Sequence, residues 1–168
     1  DMRGVTPSSS PSMDIQISSN FERLLFEVHG RDPYAVRRMM HSLSQSGAFT
    51  IGERELGLIA NEFDSAATGE DVTAATIRET LAATGELLDP HTAVGYAAAR
   101  TARPSASPMI TLATAHPAKF PDAVERASGV RPGLPKRLEH LLTAPERFTV
   151  LPNSVDAVRD FIRNRQSA

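Results

Sequence analysis

The sequence predicts an α/β domain rich in helix, with few strands and helices around them, on three observations. Apolar residues recur at helical spacing in successive segments that open on Asp-Pro or Ser and close on Gly. Met109, Ile110 and Leu112, with Thr111 among them, form a run too short for a helix and suited to a buried strand. Phe148 to Leu151 is a second such run, followed by one more amphipathic helix.

Composition bounds the partners. The chain has 168 residues, enough for one domain that buries about 70% of its unfolded surface. Its 18 basic and 20 acidic residues give a net charge of -2 without a long run of one sign, so neither nucleic acid nor an anionic membrane surface is an expected partner. The absence of cysteine excludes a disulfide framework and a thiolate metal site. With no apolar signal segment and no membrane span, a soluble cytoplasmic protein is expected. Lys119 and Lys136 are the two lysines, so a cofactor held as an imine needs one of them or an amine from outside the chain.

Taken in order, residues 1–17 read as an extended lead-in. Asp1 to Ser12 has no periodicity, two prolines and four serines, a beginning more like a cut within a longer chain than a natural start. Met13, Ile15 and Ile17 then alternate with polar residues, as in a short strand or extended segment. Ser19 and Glu22 have capping-box spacing, and Phe21, Leu24, Leu25 and Val28 make one apolar face before Gly30. Asp32 and Pro33 open a second helix through about Leu43, with Tyr34, Val36, Met39, Met40 and Leu43 for its covered side. A third, from about Thr50 to Phe63, carries Leu56, Ile59 and Phe63. His41 in this region reads as a surface or core residue.

Asp71 is placed to cap a helix through Ala83, with Ala74, Ile77 and Leu81 on one side and Gly85 after it. Asp89 and Pro90 open a helix of small residues, whose first turn gathers Asp89, His91 and Thr92. A surface loop at 103–108 leads into the 109–112 run. His116 and Pro117 fit the cap and first position of the next helix, which presents Phe120, Ala123, Val124 and Ala127 before Gly129. After a turn at 132–135 come a short helix to about Leu142, the 148–151 run, and a helix capped by Asn153 or Ser154 with Val155, Val158, Phe161 and Ile162 inward. His29 and His140 fall near helix ends, where an imidazolium would complement the dipole.

Two places point to a ligand, each with a plainer alternative. Thr114 stands between a strand's carboxyl end and a helix start, where open α/β sheets bind ligands, although a hydroxyl there also satisfies local backbone. Ser18, Ser19 and Asn20 converge on a helix N-terminus, which favours an anion but is equally served by capping alone.

Three stretches, PSMDIQISSNFERLLFE at 11–27, LLDPHTAVGYAAAR at 87–100 and ATAHPAKF at 113–120, together with FTVLPN at 148–153, resemble threonine synthase over its C-terminal portion. The resemblance covers nearly all of the chain apart from a helical insertion at about 31–70. It implies a fold type II pyridoxal-phosphate enzyme of two α/β lobes, residues 18–168 belonging to its C-terminal portion, and conversion of O-phosphohomoserine and water to threonine and phosphate.

The same resemblance implies that the Thr114 hydroxyl faces the cofactor's pyridine nitrogen, and that Asp89, His91, Thr92 and His116, with Ser18, Ser19 and Asn20, shape the cleft. It also implies what is absent: the Schiff-base lysine and the glycine-rich phosphate loop belong to the N-terminal lobe, so the 168 residues alone are expected to be inactive. Lys119 matches the lysine of the AHPAKF motif, a different residue from the imine-forming one.

Two other readings compete with this one. In the first, the chain is a non-catalytic module derived from such an enzyme that binds a small anion or a partner, which predicts a well-solvated surface; an enzyme portion instead predicts a bare apolar face. The second, metal-dependent hydrolysis through Asp89, His91 and His116, has suitable ligand types but no helical His pair.

Overall fold

The computed structural model describes residues 4–102 and 107–166, so the loop expected at 103–108 lies largely outside the described residues. The chain divides into two units, Asp1–Gly133 and Leu134–Ala168.

In the first unit, two helical clusters follow one another. The first contains α1 (Phe21–Val28), α2 (Pro33–Ser46) and α3 (Glu53–Glu62), with α1 packed on both others. Its buried residues are Leu25, Ala35 and Met39, small or flexible side chains that let short helices approach closely. Asp32 caps α2 as its sequence predicts, accepting the Tyr34 N–H at 2.8 Å. The helix ends at Gly47, where φ is 73°, a conformation that costs glycine no Cβ clash.

The second cluster carries the candidate site. Helix α4 (Glu70–Thr84) packs against both α5 (Pro90–Thr101) and α6 (Pro121–Ser128). Ile77, Ala93, Ala97 and Val124 are its buried apolar residues, with Thr73 and Thr76 buried among them. These two threonines are satisfied locally, donating to the carbonyls of Gly69, just before α4, and Val72 at 3.0 and 2.7 Å. Thr80 Oγ1 is buried with no hydrogen-bond partner among the described residues. Thr80→Val keeps the β-branch and removes that orphan, so urea unfolding should show stability raised by up to about 1 kcal/mol. A loss of stability would mean that the hydroxyl has a partner.

The second unit contains a 3₁₀ helix, Lys136–Leu142, and α7 (Val155–Gln166), with Ser154 at its start accepting the Ala157 N–H at 3.5 Å. Val155, Val158 and Ile162, expected to face inward, are exposed in this unit.

Several expectations are corrected. Among the described residues there is no strand: 13–17, 109–112 and 148–151 run without a ladder. Their apolar side chains lie bare, with Ile110 80% and Val150 83% exposed. A strand exists only beside another strand, and no second edge within the described residues meets these runs. The Ser19–Glu22 capping box does not form; α1 follows a turn in which the Phe21 N–H donates to the Ser18 carbonyl, and Asn20 at its cap is already helical in φ and ψ. Gly69, rather than Asp71, precedes α4, and α3 begins at Glu53 after an extended Gly52. Tyr34, Leu56 and Phe63 face solvent. In α2 Met39 is buried as its spacing predicts, together with Ala35, which the sequence reading does not name.

Candidate functional site

The site is built on the first turn of α5. Asp89 is extended, with φ -80° and ψ 161°, which turns its carboxylate back over the helix's free N–H groups. Oδ1 accepts the His91 N–H at 2.9 Å and Oδ2 the Thr92 N–H at 3.3 Å. The side chains of the same two residues converge on it too: His91 Nδ1 is 3.1 Å from Oδ1, and the Thr92 hydroxyl donates to Oδ2. Four donors thus meet two carboxylate oxygens in a residue only 1% exposed. A buried charge is tolerated on such terms, because every lone-pair direction is met and the helix N-terminus favours a negative group.

Each arm of this carboxylate reaches another segment. His91 Nε2 accepts the Ser12 N–H at 3.2 Å. A backbone N–H can only donate, so Nε2 carries no proton and Nδ1–H is the donor to Asp89. The His91 ring lies 4.6 Å from the Phe120 ring, tilted by 48°. Within the lead-in, Ser8 through Asp14 form a knot: the Ser8 N–H and hydroxyl both donate to Asp14, at 2.7 and 2.6 Å, and the Met13 N–H donates to the Ser10 carbonyl. Ser9 also donates to Glu70 at the start of α4. On the other arm, Thr92 Oγ1 accepts the Thr114 N–H at 3.0 Å.

Beside this turn is a cleft of about 620 Å³ whose walls include Glu86, Asp89, Thr92, Ala115, His116 and Arg131. His116 caps the 3₁₀ helix Pro117–Lys119, its Nδ1 accepting the Ala118 N–H at 3.1 Å. Arg131 donates to Glu125 at 2.6 Å and to Asp122 at 2.9 Å, and these bonds, Glu125 first, push its pKa up. It is therefore a fixed cation with its charge already answered.

The structure brings Asp89, Thr92 and His116 to one cleft and joins Thr114 to it through the backbone. The Thr114 side chain is exposed, while its neighbours Ala113 and Ala115 line the cleft. His91 is buried behind the wall. Ser18 and Asn20 lie elsewhere, on an apolar cavity of about 1040 Å³ bordered by α1, and the Ser18 hydroxyl donates to the Asn20 side chain. Ser19 is exposed. Ser12 carries no signal in the sequence because its contribution is a backbone N–H. Among the described residues no three His, Asp or Glu side chains converge as a metal set, and no helix is long and apolar enough to cross a membrane.

A family model described as threonine synthase, C-terminal, matches residues 92–162. Threonine synthase of Pseudomonas aeruginosa is 49% identical over 158 residues, covering 93% of this chain and 34% of that protein. A PLP-bound threonine synthase from Brucella melitensis is 54% identical and superposes with a TM-score of 0.89, covering 100% of this chain and 36% of that one. The chain matches the C-terminal part of threonine synthases. The yeast threonine synthase structure is more distant, at 31% identity with a TM-score of 0.79. The chain spans about a third of the length of these threonine synthases, which it matches over their C-terminal part.

Proposed function

We propose that these residues form the C-terminal part of a fold type II threonine synthase that converts O-phosphohomoserine and water to threonine and phosphate. An N-terminal lobe outside the 168 residues completes the site and carries the amine that holds pyridoxal phosphate. The observation that supports this reading is the bare apolar run Met109, Ile110 and Leu112, 61%, 80% and 74% exposed, leading directly to the exposed Thr114. A self-sufficient binding module has no reason to leave such a run uncovered, whereas a strand awaiting its sheet does.

The residues present fit one edge of pyridoxal phosphate. Bound there, the cofactor supplies the electron sink needed to expel phosphate from the substrate. Thr114 offers a neutral hydroxyl, able to donate to a pyridine nitrogen or to accept from its protonated N–H. Asp89 cannot take that place, because both its oxygens are committed and buried. A hydroxyl does not hold a ring nitrogen protonated as a carboxylate would, and a good leaving group such as phosphate does not require it to. Thr92 and His116 shape the cleft on the near side. Lys119 is no substitute for the missing amine: its ammonium sits 5.9 Å over the Phe120 ring.

The chain mixed with the lysine-bearing N-terminal part of a related threonine synthase should shift the absorption of added pyridoxal phosphate and release phosphate from O-phosphohomoserine. Neither component should do so alone. A mixture that stays inactive, with the free cofactor's spectrum and both parts folded, overturns the proposal.

A further inference from the structure

Residues 111–114 run against α5 in a fixed register. The Thr111 methyl lies beside Gly95, 3.8 Å from where a Cβ would stand, and three residues on the Thr114 N–H meets Thr92, one helical turn earlier. The second contact has a direction. The Thr92 hydroxyl has one proton, and it goes to Asp89 Oδ2. Asp89 has nothing to donate in return, and its other oxygen is taken by the His91 N–H and ring. The lone pairs of Thr92 Oγ1 are thus left as the acceptor for Thr114. Both Thr92 and Asp89 are buried, so water does not compete for the arrangement.

We infer that Thr92 is a positioning residue: its hydroxyl, oriented by Asp89, fixes the backbone at Thr114 and thereby the place where the Thr114 hydroxyl meets its ligand. The inference rests on the reading of Thr114 as the cofactor-facing residue, but the link itself is a property of this chain. Loss of the Thr92 hydroxyl leaves Thr114 chemically intact and misplaced. Its signature is a fall in kcat with KM little changed, since uniform substrate binding is untouched.

The test is Thr92→Val and Thr92→Ser, read by amide hydrogen exchange at Thr114 in the 168-residue chain and in the complete enzyme, and by steady-state kinetics in the latter. T92V should speed exchange at Thr114 about tenfold and lower kcat about tenfold, with KM within about threefold. T92S, which restores the hydroxyl, should return both to within about twofold of the unaltered enzyme. If T92V does not fold, T92A removes the same hydroxyl without a second methyl and carries the same expectations. Unchanged Thr114 exchange in a folded T92V or T92A overturns the inference. Thr114→Val separates the two readings: if it leaves kcat and the cofactor spectrum unchanged, the cofactor-facing role fails, while exchange at Thr114 still decides the role of Thr92.

Discussion

Asp89→Ala should destabilise the chain by about 3 kcal/mol or more, the sum of a lost helix cap and two buried donors left unanswered. The cap alone accounts for about 0.5–2 kcal/mol. The remainder arises because the His91 ring and the Thr92 hydroxyl stay buried when their acceptor is gone. His91 can rotate only by giving up the Ser12 N–H, and Thr92 can turn its proton elsewhere only by disturbing its bond to Thr114. Urea unfolding followed by helical circular dichroism measures the loss. A cost under about 1 kcal/mol would show that water replaces the carboxylate without penalty.

Asp89→Asn is the informative companion. The amide has the carboxylate's shape but one oxygen, so its NH₂ must face either the His91 pair or the Thr92 pair, all of which donate. About half the effect of the alanine variant is expected, with one arm kept. If the amide oxygen stays with the Thr92 pair, Thr114 keeps its anchor and the lead-in segment is released. The opposite choice loosens Thr114 instead. Amide exchange at Ser12 and at Thr114 reports which arm survives.

How far this architecture can be read from the sequence depends on how local each feature is. The caps Asp32-Pro33 and Asp89-Pro90 are found where the sequence puts them, because a side chain and an N–H two residues on decide them. His116 also caps as placed, but it opens only the 3₁₀ turn Pro117–Lys119, and the helix carrying Ala123, Val124 and Ala127 starts afresh at Pro121 after Phe120. The stops at Gly47, Gly85 and Gly129 follow for the same reason. The runs at 109–112 and 148–151 have strand composition, but strand pairing is a relation between distant segments and is not formed here. Tyr34, Leu56 and Phe63 repeat at helical spacing, yet periodicity says only that a face exists, and burial needs a layer to lie against it. At the site, the sequence names Asp89, His91, Thr92, Thr114 and His116 as candidates. It does not reveal that His91 is turned inward between Ser12 and Phe120, since one partner is a backbone N–H 79 residues away.

The second large effect is expected from Ile110→Asp combined with Leu112→Asp. In the chain by itself both side chains are mostly in water, at 80% and 74% exposure, so the double variant should stay within about 0.5 kcal/mol of the unaltered chain's stability. Assembly with the N-terminal part should nevertheless be lost. Covering each side chain on docking contributes about 1.5–3 kcal/mol in the unaltered chain. Two aspartates forfeit that gain and add the cost of burying unpaired carboxylates, which is several kcal/mol for each. Recovery of phosphate release in the mixture should therefore fall by more than about a hundredfold, while circular dichroism and urea unfolding of the variant alone are unchanged. Ile110→Val with Leu112→Val keeps the apolar surface and the β-branch a paired strand prefers, and should assemble nearly as well as the unaltered chain. If the aspartate variant assembles and turns over like the unaltered chain, the 109–112 run is not the covered edge, and the bare apolar surface must be answered by something other than the proposed N-terminal lobe.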